Sequence, residues 1–191
     1  MTLVLVEGPS DLRALEVLAR RRGVDLRAAA VRIEVLGGIT NLARRIVPHV
    51  PARPAAGTVQ EHGGLPEERL LVLHDAGETP YVERAVARSG LPVETFVCDA
   101  DLEDELVRGL GVPRALEVVA AAGDLERWET LTRQPFHRER PAADVLRRFL
   151  GTTSGRKVRY AELLVDAAVG LDRVPAPLQE LLSAAIGRAS R

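Results

Sequence analysis

Residues 3–11 read LVLVEGPSD. Leu3, Val4, Leu5 and Val6 show no polar alternation, so they describe a strand buried on both faces, as in a parallel sheet. Glu7 follows at once, then a Gly8-Pro9 turn, with Asp11 four residues beyond Glu7. Charge at the end of a buried strand is costly unless something positive compensates it. Pro9 suits the first turn of a helix; Leu12, Leu15, Leu18 and Ala19 share one face of a helix over 9–22, and Gly23 stops it. The stretch therefore predicts a strand-turn-helix unit carrying two carboxylates, one helical turn apart, at the strand's carboxyl end.

The pattern returns downstream. VRIEVLGG (31–38) reads as a second strand closed by two glycines, and TNLARRIV (40–47) as a short helix that Thr40 can cap. From 48 to 64 the chain has Pro, Gly, Ala and His without a period, which reads as a surface loop. RLLVLHD (69–75) is a third strand ending on an acid, a helix follows over 79–89, and VETFVCDAD (93–101) is a fourth acid-ended strand. Helices are expected at 102–109 and 113–121. Beyond Gly123 strand signals stop, and 124–132, 141–150, 157–169 and 177–188 all read as helix. Alternating strands and helices predict an α/β fold, about four mainly parallel strands with helices on both faces. We divide the chain into an α/β domain, 1–123, and a basic helical extension, 124–191.

At 191 residues with 46% apolar side chains, the chain can bury a proper core, and aromatics at 3% leave the packing to Leu, Val and Ala. No apolar run approaches the ~20 residues of a membrane span, and no secretory signal is visible, so a cytoplasmic protein is expected. The single cysteine, Cys98, excludes an internal disulfide and a Cys-based zinc site. A net charge of −1 argues against a general nucleic-acid coat protein. The charge is uneven, however. Residues 1–125 hold 14 Arg against 19 acids, whereas 126–159 hold 9 Arg or Lys against 4 acids. An acidic front before a basic segment suits a metal site beside a polyanion-binding surface, although a solvated helix face would look the same.

In parallel sheets ligands gather at the strands' carboxyl ends. Glu7, Asp75 and the run Asp99–Glu105 all fall there. Converging carboxylates repel unless one takes a proton or a cation intervenes, and an all-oxygen donor set points to Mg²⁺ or Mn²⁺. Glu7, Asp11, Asp75, Glu78, Asp101 and Glu103 are the candidate ligands. Each has a plainer reading as a helix cap or surface residue, and Asp101 in particular can cap the helix beginning at Leu102. Two ions could hold the attacking and leaving oxygens of a phosphodiester in line. His49, His62, His74 and His137 show no ligand spacing, and His74 reads as structural. Trp128 and Phe136 read as helix packing, with stacking on a base the alternative.

Of 26 basic residues only Lys157 is lysine. Its compact ammonium can approach one oxygen where a planar guanidinium cannot, so a phosphate contact competes with mere chance as the reason it persists.

Taken in order, these residues resemble the Toprim domain, and within it the OLD-family (overcoming lysogenization defect) nucleases. LVEGPSD matches the first motif of Glu, three residues, then Asp; DLEDEL resembles the later acidic helix start; SGRKVRYAELL resembles the Gly-rich segment with a lysine. The resemblance spans about 1–170 and implies a Toprim-like sheet with Glu7, Asp11, Asp75 and Glu103 as metal ligands. It implies catalytic roles for Lys157 and Glu7, two Mg²⁺ (or Mn²⁺) ions as cofactor, and metal-dependent cleavage of DNA by a two-metal mechanism. Arg147, Arg148, Arg156 and Arg159 in the basic segment would then contact nucleic acid.

Two departures stand out. The usual Asp-x-Asp after the third strand is here Asp75-Ala76-Gly77-Glu78, so Glu78 or Asp101 must supply the second acid. OLD nucleases also carry an ATPase, so either this chain acts alone or a separately encoded ATPase is its partner. GTTSGRK (151–157) is not a Walker loop, because Arg156 parts Gly155 from Lys157 and Val158 follows. Tyr81 and Tyr160 lack the context of a topoisomerase nucleophile, and primase-like transfer would need template-binding parts. An Mg²⁺-dependent endonuclease is the first expectation, and a non-catalytic adaptor binding nucleic acid or an ATPase partner the second.

Overall fold

A computed structural model describes residues 1–47, 68–151 and 154–187. The loop expected at 48–64, with His49 and His62, lies outside the described residues. Four strands form one parallel sheet: β1 (Thr2–Val6), β2 (Val31–Val35), β3 (Arg69–Asp75) and β4 (Val93–Cys98), in the order β2-β1-β3-β4. The expected second and fourth strands end sooner than the sequence suggested. Gly37 and Gly38 take φ of +70° and +112°, a backbone that ordinary residues avoid, and turn the chain off the sheet.

β1 lies between two neighbours and all five of its residues are buried, which is why its sequence never alternates. Its side chains still point to opposite faces by turns. Leu3 and Leu5, with Leu70 and Val72 of β3, bury against α2 (Leu42–Ile46) and α3 (Thr79–Ser89) through Leu42, Ile46, Val82 and Ala85. Val4 and Val6, with Leu71 and Leu73, face a larger core on the other side. Each fully buried Leu or Val there contributes about 1.5–3 kcal/mol.

That larger core is built by α1 (Pro9–Arg21), α4 (Leu102–Leu110), α5 (Val112–Ala121), α6 (Leu125–Thr132), α7 (Ala142–Gly151), α8 (Ser154–Gly170) and α9 (Ala176–Ala185). It runs without a break across Gly123 into the helices that follow. α8 lies along α1, and Ala161, Leu164, Val165 and Ala168 share their core with Ala14, Leu15 and Leu18. Ion pairs Arg13–Glu162 (2.7 Å), Arg21–Asp166 (3.2 Å) and Arg22–Asp172 (3.3 Å) advance together along both helices, so the two run in the same direction. Such solvated pairs add little, under about 1 kcal/mol each, and the apolar seam holds the helices together. Their common direction puts the start of α8 beside the start of α1, where Asp11 sits. No helix among the described residues is long and apolar enough to cross a membrane.

Candidate active site

The register of the sheet delivers the first acids. Leu5 stands opposite Val72, so Glu7 comes level with His74 and one residue short of Asp75 on the adjacent strand. The chain passes from β2 on one side of β1 to β3 on the other, so Glu7 and Asp75 flank the sheet's switch point, where open parallel sheets bind ligands. His74 points away, buried, with Nδ1 2.9 Å from the Asp75 carbonyl, as expected of a structural residue.

Asp11 is fixed by the turn before it. Gly8 N–H donates to its Oδ2 at 2.8 Å, and Pro9 occupies the first turn where no N–H is needed. Burial nonetheless raises the Asp11 carboxyl, against the lowering effects of that hydrogen bond and of Lys157. Glu78 lies in the short turn Ala76–Glu78 after β3, near enough to Glu7 for that carboxylate's charge to act on it. Neighbouring carboxylates favour a shared proton or a cation between them. Burial and then the Glu7 charge push Glu78 up to about 6. Burial, followed by the charges of Asp101, Glu7, Asp11 and Glu78, pushes Asp75 up to about 7.

The acidic run after β4 sorts itself by the first turn of α4. Asp101 is the N-cap: its Oδ1 accepts from Asp104 N–H at 2.8 Å, while Oδ2 accepts from Arg147 Nε at 2.7 Å. Asp99 and Glu105 both go to Arg108, at 2.7 and 2.6 Å. Glu103 and Glu105 are both buried on α4 beside Leu102, Leu106, Val107 and Leu110, and of the two Glu103, its side chain only 4% exposed, is the one that meets Lys157. Burial raises its carboxyl; Lys157 opposes this from 3.2 Å.

Lys157 belongs to the first turn of α8, which starts at Ser154 rather than 157. A cation there opposes the helix dipole and is partly desolvated. Burial lowers its pKa, but Glu103, Asp11 and Asp101 together more than reverse this, so the ammonium is held more firmly than in water.

The structure thus gathers Glu7, Asp11, Asp75 and Glu78 on one side and Glu103 with Lys157 on the other, bridged by Asp101. The basic residues are dispersed. Arg147 clamps Asp101; Arg159 turns to buried Asp124 (3.1 Å) and the Ala122 carbonyl (2.6 Å). Arg156 stacks 4.5 Å over Phe149 and lines a cavity of about 440 Å³ with Arg127, Thr130 and Gln134. Arg148 faces the Phe136 ring at 5.7 Å. Trp128 packs edge-on against Phe149 as expected, but Phe136 joins no helix core: it meets only His137 and arginines and is 57% exposed. Pro135 starts a short turn between α6 and α7, so no helix face covers it.

The donor set is entirely carboxylate oxygen, the preference of Mg²⁺ and Mn²⁺. Glu78 Oε2 and Glu103 Oε1 are buried without a hydrogen-bond partner. In donor chemistry and in uncompensated charge the residues fit a divalent ion. Among the described residues, however, no three Asp, Glu, His or Cys stand close enough to hold one as they are placed. At Gly77 a side chain would meet nothing within 4 Å, so space does not explain the missing second Asp.

No family model matches the chain, and no curated protein does. Its structure is similar to that of the C-terminal region of the Burkholderia pseudomallei OLD protein, with a TM-score of 0.60 and 18% identity over 96% of each chain. It is similar as well to the C-terminal region of the Xanthomonas campestris pv. campestris OLD protein, with a TM-score of 0.62, 18% identity, and coverage of 97% of this chain and 94% of that one. The fold is Toprim-like, that of the C-terminal region of OLD proteins.

Proposed function

We propose that the chain is a metal-dependent nuclease that hydrolyses DNA phosphodiester bonds. One observation carries the reading. Four carboxylates, Glu7, Asp11, Asp75 and Glu78, repel one another about the sheet's switch point, with no salt bridge to any of them among the described residues, and the only lysine in the chain acts on Asp11 from their edge. A cluster that repels itself is retained against stability, which is the mark of a functional site.

Glu7, Asp11, Asp75 and Glu78 would hold Mg²⁺ or Mn²⁺, with Asp101 and Glu103 at the boundary. The bound ion supplies Lewis-acid charge to the oxygens that become more negative as the phosphodiester breaks. Glu103 positions the Lys157 ammonium at the edge of the cluster, where it can contact a phosphate oxygen as a point charge. Asp101 and Arg147 lock α7 to the start of α4, keeping the rim of the site in place. OLD proteins supply the analogy for DNA as substrate and for an ATPase partner encoded elsewhere.

The test is cleavage of plasmid and single-stranded DNA with Mg²⁺ or Mn²⁺. Cutting that disappears in both Glu7→Ala and Lys157→Ala supports the proposal; cutting indifferent to Glu7→Ala refutes the site. A non-catalytic adaptor is the second reading. The absence of any three acids at ligating range among the described residues favours it. DNA binding without cutting in either metal would decide for it.

A further inference from the structure

Phe136 is the exposed aromatic of a chain whose other large rings are largely withdrawn: Trp128, Phe149 and Tyr160 are buried, and Phe96 and Tyr81 are half-buried. Water-exposed phenyl is unfavourable by the same ~25 cal/mol per Å² that drives cores together, so an open ring at a fixed place calls for a reason. Here the place is fixed. His137 N–H donates to the Gln134 carbonyl at 2.9 Å, Arg140 N–H to the His137 carbonyl at 3.2 Å, and the buried His137 ring packs edge-on against Phe136 at 5.0 Å.

The surroundings are cationic. Arg140 lies 4.0 Å from the ring centroid and Arg148 5.7 Å from it. Residues 133–148 contain 5 Arg against 2 acids, and all five Arg are exposed. A cation–π pair that served only to fasten the turn would leave the ring covered, yet more than half of Phe136 remains open. An aromatic face flanked by guanidinium groups suits an unpaired base with a phosphate on either side. The position relative to the site agrees. Arg147 reaches the acidic rim at Asp101, and Arg148, the next residue on α7, reaches Phe136. Successive residues of α7, pointing about 100° apart around the helix, therefore reach the acidic rim and the ring.

The geometry points to Phe136, with Arg140 and Arg148, as a stacking platform for an unpaired base of single-stranded DNA, beside the site and connected to it by α7. This rests on the proposed function for its substrate class and adds where a single strand is held. Stacking on an aromatic needs a base with a free face, so the platform favours single strands, frayed ends and gaps over intact duplex.

The test is binding by the full chain in EDTA, where no cutting occurs, read by fluorescence anisotropy. The probes are a labelled single strand, the same strand with abasic sites throughout, and the duplex. Phe136→Ala should weaken binding of the single strand by ~5- to 100-fold and leave the abasic strand and the duplex unchanged. Phe136→Trp should retain or improve it. Because the ring is exposed, both variants should melt with the parent protein, which a thermal scan checks. Equal losses on all three probes, no loss on the single strand, or a parent protein that does not prefer it to the abasic strand would each overturn the platform. The two proposals fail separately. Metal-dependent cutting with binding indifferent to Phe136 sinks the platform alone; Phe136-dependent binding without cutting in any metal sinks the nuclease alone.

Discussion

Replacing Asp75 by Asn should stabilise the metal-free protein at about pH 8 and change nothing at about pH 4. Burial, then the charges of Asp101, Glu7, Asp11 and Glu78, push the Asp75 carboxyl up to about 7 from an ordinary 3.8. A group that holds its proton more tightly when folded lends stability below its unfolded pKa and loses it as pH rises through the folded value. The native chain therefore loses stability between about pH 4 and pH 7, and an uncharged Asn at this position does not. At about 1.4 kcal/mol per pH unit the whole gap is worth about 4 kcal/mol. Asp75 is only part-buried, and water reaching it should leave about half, ~2 kcal/mol. For a domain of this size that is a rise of ~4–8 °C in Tm. The assay is a series of thermal melts in EDTA across pH, repeated with Mg²⁺. The ion should raise the Tm of the parent protein more than that of Asp75→Asn, because only the parent has the full repulsion to relieve. An Asn variant no more stable than the parent at about pH 8, or equally favoured at about pH 4, would show that the cluster carries no such strain.

Lys157→Met should abolish DNA cleavage, and Lys157→Arg should lower kcat by ~10²-fold or more, because the planar guanidinium cannot take the ammonium's place against Glu103 and a phosphate oxygen; initial rates on plasmid with Mg²⁺ check both. Tyr160→Phe removes the 2.9 Å hydrogen bond from the phenol to Asp124, a carboxylate that also pairs with Arg127 and Arg159. It should cost about 1.5–3 kcal/mol in a denaturant titration and leave cleavage at 25 °C intact. Tyr160 foremost, with Arg127 and Arg159, lowers the Asp124 carboxyl, so its contribution is present above the ordinary carboxylate range and lost as pH falls through it. The parent-variant difference should therefore shrink in acid, opposite to Asp75→Asn. Gly109→Ala would bring a methyl to 2.9 Å from the Arg173 carbonyl oxygen and should cost about 1–3 kcal/mol by separating α4 from the turn before α9.

What the sequence made legible follows from how local each signal is. The unbroken apolar run Leu3–Val6, then Glu7, specified a central strand with an acid at its carboxyl end, because burial on both faces leaves no room for alternation. Glu103 was singled out from five neighbouring acids by the resemblance of DLEDEL to a Toprim helix start; the apolar pattern of α4 could not do it, because Glu105 is buried there as well. The arginines could not be placed this way. Arg147 meets an aspartate 46 residues before it and Arg159 one 35 residues before it, so each pairing depends on how helices pack. Phe136 was misread for a related reason: an aromatic between two helical segments resembles packing until Pro135 is seen to start an uncovered turn.

The distribution of protein cations about the rim divides the site into unequal halves. Glu103 has Lys157 and Asp101 has Arg147, so that half is neutralised by the chain itself. Among the described residues no salt bridge reaches Glu7, Asp75 or Glu78, and on this half the carboxyls are pushed to about 7 at Asp75 and about 6 at Glu78. On the proposed reading, a first divalent ion would gain most where repulsion is greatest, at Glu7, Asp75 and Glu78, and there Glu78 would take the role left open by Gly77. A second ion would have to compete with Lys157 for Glu103 and with Arg147 for Asp101. The two would then bind with unequal affinity, and the weaker should be the one that loosens Glu103's hold on Lys157. On the proposed reading, the missing aspartate leaves the stronger position intact and makes occupancy of the weaker one a matter of ion concentration.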